Sequence, residues 1–295
     1  MNKFPRIIRN LLVSMRIKHW IKNGFIFIPL IFVGLLFDQT SFLKVLNTFF
    51  IFCLAASSVY LLNDVLDKNK DINHPTKKNR PIARGDLSIS IALVFSFILL
   101  GASVAWALIL DKGLIAFIVI YYVINILYSL VLKNLFLLDA FFVAINYLMR
   151  VYAGAYIIKV EVSPWLFLII FLFSLVVSFG KRKEELGLLD TEAKNHRVTL
   201  EFYTEDLLNQ MIIITSTLTI ICYILYTVAP ETIIKHGQHL VYTTPFVVFG
   251  FLRYLYLVNQ KKMGSPVEVF FKDKTIFITV ALWVIVIIFL IYFIK

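Results

Sequence analysis

The chain has 295 residues, of which 60% are hydrophobic and only 16% are charged, and its mean hydropathy is +0.85. This composition excludes an ordinary soluble domain and predicts an all-α, polytopic membrane protein built as a helical bundle. The net charge of +11 suits anionic lipid headgroups as well as an anionic substrate. Cys53 and Cys222 both fall in hydrophobic runs, which argues against a disulfide framework.

Nine hydrophobic runs are long enough to cross a membrane core of about 30 Å, so we expect about nine transmembrane helices. No linker rich in Gly, Pro or Ser separates them, and residues 1–295 are therefore expected to form a single transmembrane domain. In chain order the runs cover residues 24–40, 42–62, 88–110, 114–132, 135–158, 164–180, 208–228, 240–258 and 275–294.

Ahead of the first run, residues 1–23 mix basic and apolar side chains, which is typical of a helix that lies in the membrane interface. No short apolar core with a cleavage site is present there, so no removable signal peptide is expected. Lys18 and Lys22 are four residues apart and share one face of an α-helix. They either anchor the segment to lipid headgroups or bind a phosphate group of a substrate.

The Lys and Arg residues indicate an orientation in the membrane. Nine alternating spans place 22 of them on one side and 5 on the other, with Arg150 and Arg253 inside spans or at their ends. Because positive loops remain in the cytosol, the N-terminus and the loops 63–87 and 181–207 are expected to face the cytosol. The C-terminus is then outside, and the protein is expected in the cell (inner) membrane.

A dense polar block, residues 63–85, separates the second and third runs. Four of its side chains, Asn63, Asp64, Asp67 and Asp71, share an arc of about 100° on a helix, and such oxygen groups bind hard cations. Pro75 and Pro81 are expected to end this helix after the last aspartate. Six basic residues suited to phosphate groups accompany them: Lys68, Lys70, Lys77, Lys78, Arg80 and Arg84. The pattern predicts a metal-dependent site for a diphosphate, and a solvated helix end is the weaker alternative.

Further candidates lie along the rest of the chain. Lys133 either reaches the same pocket or extends its ammonium group to the membrane surface. Arg150 lies inside a span, where an arginine requires a partner or a polar cavity, and we expect a cavity role. After the sixth run, Lys181 and Arg182 are candidates for phosphate contacts. A helical salt bridge between Lys181 and Glu185 explains that spacing equally well.

The polar block resembles the first aspartate-rich motif of the UbiA superfamily of membrane transferases, whose pattern Asn-Asp-x-x-Asp-x-x-x-Asp is complete here. The longer sequence His74-Pro75-x-Lys77-x-x-Arg80-Pro81-Ile82-Ala83-x-Gly85 is similar to the branch of that superfamily that makes decaprenylphosphoryl phosphoribose. Segments that agree with the branch run over almost the whole chain: Arg16-x-Lys18-x-Trp20-x-Lys22-Asn23, Leu127-Tyr128-Ser129 through Lys133, Leu138-Asp139, Arg150-Val151-x-Ala153-Gly154, Lys181-Arg182-x-Glu184, and Gly264-Ser265-Pro266-x-Glu268 with Asp273.

The later cytosolic loop departs from the prenyltransferases of this superfamily, which carry a second aspartate-rich motif there. Here the loop has the sequence Lys181-Arg182-Lys183-Glu184-Glu185. Cationic groups suit a donor and an acceptor that are both phosphorylated. The resemblance therefore implies Mg²⁺-dependent transfer of 5-phosphoribose from phosphoribosyl diphosphate to a polyprenyl phosphate, with release of diphosphate.

On this hypothesis Asn63, Asp64 and Asp67 hold Mg²⁺, with Asp71 bound directly or through water. Membrane lipids are further partners, no nucleic acid is expected, and a homo-oligomer is left open. Two alternatives remain: a prenyltransferase that acts on an aromatic acceptor, and a transporter of a phosphorylated metabolite. The basic residues expected to contact donor or acceptor phosphates are Lys18, Lys22, Lys77, Arg80, Arg84, Lys133, Arg150, Lys181 and Arg182.

Overall fold

A computed structural model describes residues 3–74, 76–189, 198–261 and 263–294. Within these ranges the regular elements are all helices, which confirms the predicted all-α class. Pro75 lies outside the described ranges, as do four of the basic residues counted for the orientation: Lys194, Arg197, Lys262 and Lys295.

The described α-helices are, in chain order, α1 (Lys3–Ser14), α2 (Ile28–Val33), α3 (Gln39–Leu66), α4 (Lys68–Ile72), α5 (Ile89–Leu110), α6 (Leu114–Leu130), α7 (Leu138–Ile157), α8 (Pro164–Leu189), α9 (Glu205–Val228), α10 (Pro230–His236), α11 (Thr244–Gln260), α12 (Pro266–Lys272) and α13 (Lys274–Phe293). Short 3₁₀ helices connect several of them: Ile17–Phe27, Lys77–Asn79, Leu132–Asn134, Val198–Phe202 and Gln238–Thr243.

Seven described helical segments are long and apolar enough to cross a membrane, one of them being the 3₁₀ helix Gln238–Thr243 continued by α11, and α6, with 17 residues, is slightly shorter. The chain is therefore a multi-pass membrane protein. The first predicted span, residues 24–40, needs correction, because it is not one α-helix. The 3₁₀ helix Ile17–Phe27 continues into α2, and the chain turns at Gly34, whose φ of 85° is left-handed.

Residues 17–30 run antiparallel to α3 because side chains pair along both. Trp20 Nε1 donates to Ser57 Oγ at 3.0 Å, and Asn23 Nδ2 donates to Cys53 Sγ at 3.2 Å. A 3₁₀ helix rises about 2.0 Å per residue, so eleven residues cover roughly 22 Å. This segment therefore begins at residue 17, within the stretch predicted as interfacial. With three residues per turn, Lys18 and Lys22 lie on different faces, contrary to the prediction.

Helix α3 carries the first residues of the polar block in its last turn. The Asp38 carboxylate caps its first turn by accepting from the Ser41 backbone N–H at 2.7 Å, and these hydrogen bonds lower the pKa of Asp38. The 28 residues of α3 extend about 42 Å, which exceeds a hydrocarbon core of about 30 Å. Helix α3 is therefore long enough for its last turn, which carries Asn63 and Asp64, to extend beyond the hydrocarbon core.

Helix α8 is longer than the sequence predicts. The predicted span ends at residue 180 and is followed by a loop, but the helix continues to Leu189. Residues 181–189 are therefore helical, and of the predicted 181–207 loop the part 190–197 lies outside the described ranges. Lys, Arg, Glu and Leu are good helix formers, and ion pairs within this turn support the extension.

Contacts divide the chain into two compact units. Unit 1 comprises Met1–Leu30, Asp38–Lys133 and Met149–Val160, and unit 2 comprises Ile31–Phe37, Asn134–Leu148 and Glu161–Lys295. A core of unit 1 contains Leu61, Ile82 and Leu99. A core of unit 2 contains Phe179, Leu208 and Leu257. That residues 1–295 form one domain stays a prediction.

Candidate functional site

The four metal-suitable side chains of the polar block lie where α3 passes into α4, in unit 1. Asp67 caps α3, and hydrogen bonding continues through it, since its backbone N–H donates to the Asn63 carbonyl at 2.9 Å and the Asp71 N–H donates to the Asp67 carbonyl at 2.8 Å. Helix α4 ends at Ile72, directly after the last aspartate, as predicted. The near-continuous helix therefore holds the four side chains on successive turns.

The two most buried carboxylates share one guanidinium group. Asp64 is 2% exposed and Asp71 is 3% exposed. Arg80 Nη1 lies 2.6 Å from Asp71 Oδ2 and 3.1 Å from Asp64 Oδ1. Asp64 also accepts a hydrogen bond from Arg16. Both carboxylates thus converge on a single cationic position, and a second arginine contacts the same Oδ1 of Asp64.

Lys133 completes the set of ion pairs. Its ammonium group donates to Asp67 Oδ1 at 2.6 Å, so the structure brings Lys133 to the aspartates. Nearby, Ser129 Oγ donates to Asn63 Oδ1 at 2.6 Å. Ser129 and Lys133 come from the end of α6 and the turn that follows, which therefore packs against the end of α3.

The charge state of Asp71 depends on these neighbours. Burial raises the pKa of Asp71, Arg80 and Lys77 oppose that shift, and the negative charge of Asp64 reinforces it. A buried carboxylate without a cation nearby would take up a proton instead. The Asp64–Asp71 pair is thus a place where a positive charge is required.

The donor set fits a hard divalent cation by its chemistry. Within the described ranges, no three His, Cys, Asp or Glu side chains are grouped closely enough to hold a metal by themselves. Mg²⁺ does not need such a cage, because it commonly binds one or two carboxylates and completes its shell with water and substrate phosphates. Asp64 and Asp71 supply two converging carboxylates, and Asn63 and Asp67 offer further oxygen atoms.

The other basic candidates of unit 1 differ in their surroundings. Lys77 is half-buried, and its positive charge partly opposes the rise in the pKa of Asp71 that burial causes. Arg84 pairs with Asp86, which also accepts from Arg6 at 2.6 Å. In this structure Arg84 is therefore engaged outside the aspartate cluster. Along the 3₁₀ helix Ile17–Phe27, Lys18 is exposed and Lys22 is half-buried.

Arg150 lies in a buried polar network of unit 1. Its Nε donates to Asn23 Oδ1 at 2.7 Å and its Nη2 to the Tyr121 hydroxyl at 3.2 Å, and the guanidinium carbon is 5.1 Å from the centre of the Tyr121 ring. Asn23 in turn donates to Cys53. The structure thus supplies the partners that an arginine inside a span requires.

In unit 2, Arg182 is held by carboxylates of its own unit. It is 2% exposed, its Nε donates to Asp139 Oδ2 at 2.7 Å, and its Nη1 donates to Glu185 Oε2 at 2.8 Å. The Tyr203 hydroxyl donates to the other Asp139 oxygen at 2.9 Å. Lys181 pairs with Glu185 at 3.7 Å, the helical salt bridge that the spacing allows, and its side chain is 49% exposed.

Two residues at the aspartate cluster are absent from the predicted site residues. Arg16 lies between α1 and the 3₁₀ helix in a left-handed conformation (φ 52°), with its guanidinium carbon 5.0 Å from the centre of the Tyr60 ring. Ser129 binds Asn63. Both occur in the segments that carry the family resemblance, which was the available signal. Neither pairing follows from local spacing.

Comparison with known proteins gives consistent matches over nearly the whole chain. The model of the UbiA prenyltransferase family matches residues 27–281. The decaprenyl-phosphate phosphoribosyltransferase of Mycolicibacterium smegmatis is 31% identical over 290 residues, covering 94% of this chain and 91% of that protein. The enzyme of the same name from Mycobacterium tuberculosis is 30% identical over 282 residues, covering 94% and 93%.

Two solved structures have the same fold. A UbiA homolog from Archaeoglobus fulgidus bound to Cd²⁺ superposes with a TM-score of 0.68 at 16% identity, over 96% of this chain and 99% of that one. The homolog bound to GPP and Mg²⁺ superposes with a TM-score of 0.65 at 18% identity, over 98% and 99%. The chain therefore shares its fold with these UbiA homologs.

Proposed function

The chain belongs to the UbiA prenyltransferase family, and on this premise we propose that it transfers 5-phosphoribose from phosphoribosyl diphosphate to a polyprenyl phosphate, with Mg²⁺ as cofactor. The observation that carries the proposal is the cluster of interleaved carboxylates and basic groups at the end of α3. Such a cluster suits a metal together with several phosphate groups. The names of the curated relatives support transfer of a phosphoribosyl group to a polyprenyl phosphate.

Asp64 and Asp71, with Asn63 and Asp67, would hold Mg²⁺ against the diphosphate of the donor. The bound metal supplies charge neutralisation, which makes diphosphate a better leaving group. Arg80 and Lys77 lie beside these carboxylates and would donate hydrogen bonds to donor phosphates. Positioning of this kind accounts for much of catalysis when the reacting groups are already charged.

The acceptor reacts through a phosphate oxygen, which forms a bond to C1 of the ribose. The bond between C1 and the diphosphate oxygen breaks, and its electron pair leaves with diphosphate. No general base is required, because a phosphate monoester with a second pKa of about 6 is largely ionised at pH 7. Among the remaining basic candidates, Lys18, Lys22, Arg84, Lys133 and Arg150 are proposed phosphate contacts. Lys181 and Arg182 are also proposed phosphate contacts, and for these two residues the support comes from the sequence.

The identity of the product tests the proposal. Membranes that contain the chain are incubated with labelled phosphoribosyl diphosphate, Mg²⁺ and a polyprenyl phosphate, and the organic extract is analysed by mass spectrometry. We expect a lipid whose mass corresponds to a polyprenyl phosphate joined to 5-phosphoribose. The product should be absent without the polyprenyl phosphate or with a chelator in excess over the metal.

An isoprenyl donor is the second candidate, since the matching family model is described as a prenyltransferase family. The same membranes are therefore given an isoprenyl diphosphate and an aromatic acid. Label that enters lipid only under these conditions would overturn the phosphoribosyl assignment. Flux of labelled substrate into sealed vesicles without a new product would instead support a transporter.

A further inference from the structure

The aspartate cluster is electrically balanced before any ligand binds. Its three carboxylates, Asp64, Asp67 and Asp71, contact three basic side chains, Arg16, Arg80 and Lys133. The formal charges cancel. A divalent cation that entered alone would add two positive charges to a neutral and largely buried cluster, which is unfavourable without an accompanying anion.

Arg80 lies where such a cation would bind. Its Nη1 is within hydrogen-bond distance of both buried carboxylates. Two carboxylate oxygens around one cationic centre are the ligands that a divalent metal takes from a protein. Metal and Arg80 therefore compete for one position.

Arg80 and Arg16 differ in what their guanidinium groups contact. Arg16 binds Asp64 and also lies over the Tyr60 ring. Arg80 binds the two carboxylates and follows the three-residue 3₁₀ turn Lys77–Asn79, and its side chain is about as exposed as that of Arg16, 24% against 22%. A small change in that connection would carry its guanidinium group from the carboxylates to an adjacent phosphate, where it can form two parallel hydrogen bonds.

We propose that Arg80 is a resident counterion of Asp64 and Asp71 that exchanges its carboxylate partners for the donor diphosphate when the metal binds. Metal and diphosphate then bind as one unit, and the free protein has low affinity for metal alone. The exchange preserves charge balance, because the diphosphate brings the negative charge that offsets both the metal and the released arginine. The inference rests on the proposed function only in requiring a diphosphate.

Binding of Mn²⁺ to the purified full-length chain tests this linkage without any turnover. Protein-bound Mn²⁺ is measured by equilibrium dialysis at fixed free Mn²⁺, with and without inorganic diphosphate. For the unchanged chain, diphosphate should increase the Mn²⁺ affinity at least about tenfold, or about 1.4 kcal/mol. Equal affinities in the two conditions would overturn the proposal, and this measurement requires no variant.

Arg80→Gln provides the sharper comparison. Without diphosphate, this variant should bind Mn²⁺ more tightly than the unchanged chain, because no guanidinium group competes, and added diphosphate should then increase the affinity by a smaller factor. Arg6→Gln is the matched control, since it removes a basic partner of Asp86 and leaves the cluster intact. Unchanged or weaker Mn²⁺ binding by Arg80→Gln, or an equal gain in Arg6→Gln, would contradict the exchange.

The outcome is separable from that of the product assay. If Mn²⁺ and diphosphate bind as a unit but no phosphoribosyl lipid forms, the counterion exchange stands and the donor assignment fails. If the phosphoribosyl lipid forms while Mn²⁺ binds equally well with and without diphosphate, the proposed function stands and the exchange fails.

Discussion

At the scale of the residue, Asp64 illustrates the cost of placing charge at the end of a membrane helix. A buried carboxylate is tolerated when cations and hydrogen bonds replace the water that it loses, and removal of one member of a buried pair typically costs about 3–5 kcal/mol. Asp64 has two such partners, Arg16 and Arg80. Asparagine in place of Asp64 keeps the shape of the side chain and removes its charge, so this replacement separates the two roles.

Asp64→Asn should leave the protein inserted in the membrane while reducing turnover about a thousandfold, if the bound metal lowers the barrier by about 4 kcal/mol. Asp38→Asn is the matched control, because it makes the same change at the opposite end of α3, where asparagine caps a helix as well as aspartate does. Initial rates of lipid-product formation, normalised to protein in the membrane, provide the measurement. Full activity of the Asp64→Asn variant would show that the Asp64 carboxylate has no role in the reaction.

At the scale of the element, two glycines allow the 263–265 loop to pack on α8 within unit 2. A Cβ atom on Gly264 would lie 1.8 Å from the Gly180 carbonyl oxygen, and one on Gly180 would lie 2.0 Å from the Tyr254 hydroxyl. That hydroxyl donates to the Gly264 carbonyl at 3.0 Å. The contact fixes the turn of α8 that begins with Lys181, so the glycines position the basic residues of that turn.

Gly264→Ala should destabilise the protein by about 1–3 kcal/mol, because a methyl group has no space against the α8 backbone. Gly250→Ala is the control, since a Cβ atom at that position within α11 meets no atom within 4 Å, and alanine favours a helix by about 0.5–1 kcal/mol. Thermal unfolding in one detergent compares the two. A Gly264→Ala protein as stable as Gly250→Ala would show that the close contact is absent.

At the scale of the whole molecule, the distribution of basic residues predicts which end faces the cytosol. This orientation depends on the number of apolar segments that cross the membrane. The 3₁₀ helix Ile17–Phe27 with α2 adds such a segment along α3 to the seven long helical segments and α6. With that segment the number of apolar segments agrees with about nine, and the alternation of charge is retained. The orientation itself stays a prediction.

Cysteine labelling in intact cells tests the orientation. Lys78 and Lys235 are exposed and lie on opposite sides in the predicted topology. With a membrane-impermeant maleimide, Lys235→Cys should react in intact cells, whereas Lys78→Cys should react only after permeabilisation. The unchanged chain gives the background from Cys53 and Cys222. The reverse pattern would place the aspartate cluster outside the cytosol.

The membrane class, most helices and the family could be predicted without the structure, because they depend on local composition and on a contiguous motif. The sequence also located the polar block, since Asn63 to Asp71 recur at helical spacing and the helix ends directly after them. The resemblance to the UbiA superfamily is confirmed by the family match. Local pattern was sufficient wherever the deciding interactions lie within a few residues.

The ion pairs of the cluster could be identified only from the three-dimensional structure. Arg16 reaches Asp64 across 48 residues of sequence and Lys133 reaches Asp67 across 66, and both pairings result from the packing of separate segments against the end of α3. Residues 17–27 form a 3₁₀ helix whose side chains contact α3. These contacts are long-range, so the α-helical periodicity of the sequence does not indicate them. Long-range packing therefore converted a recognisable motif into a charge-balanced site.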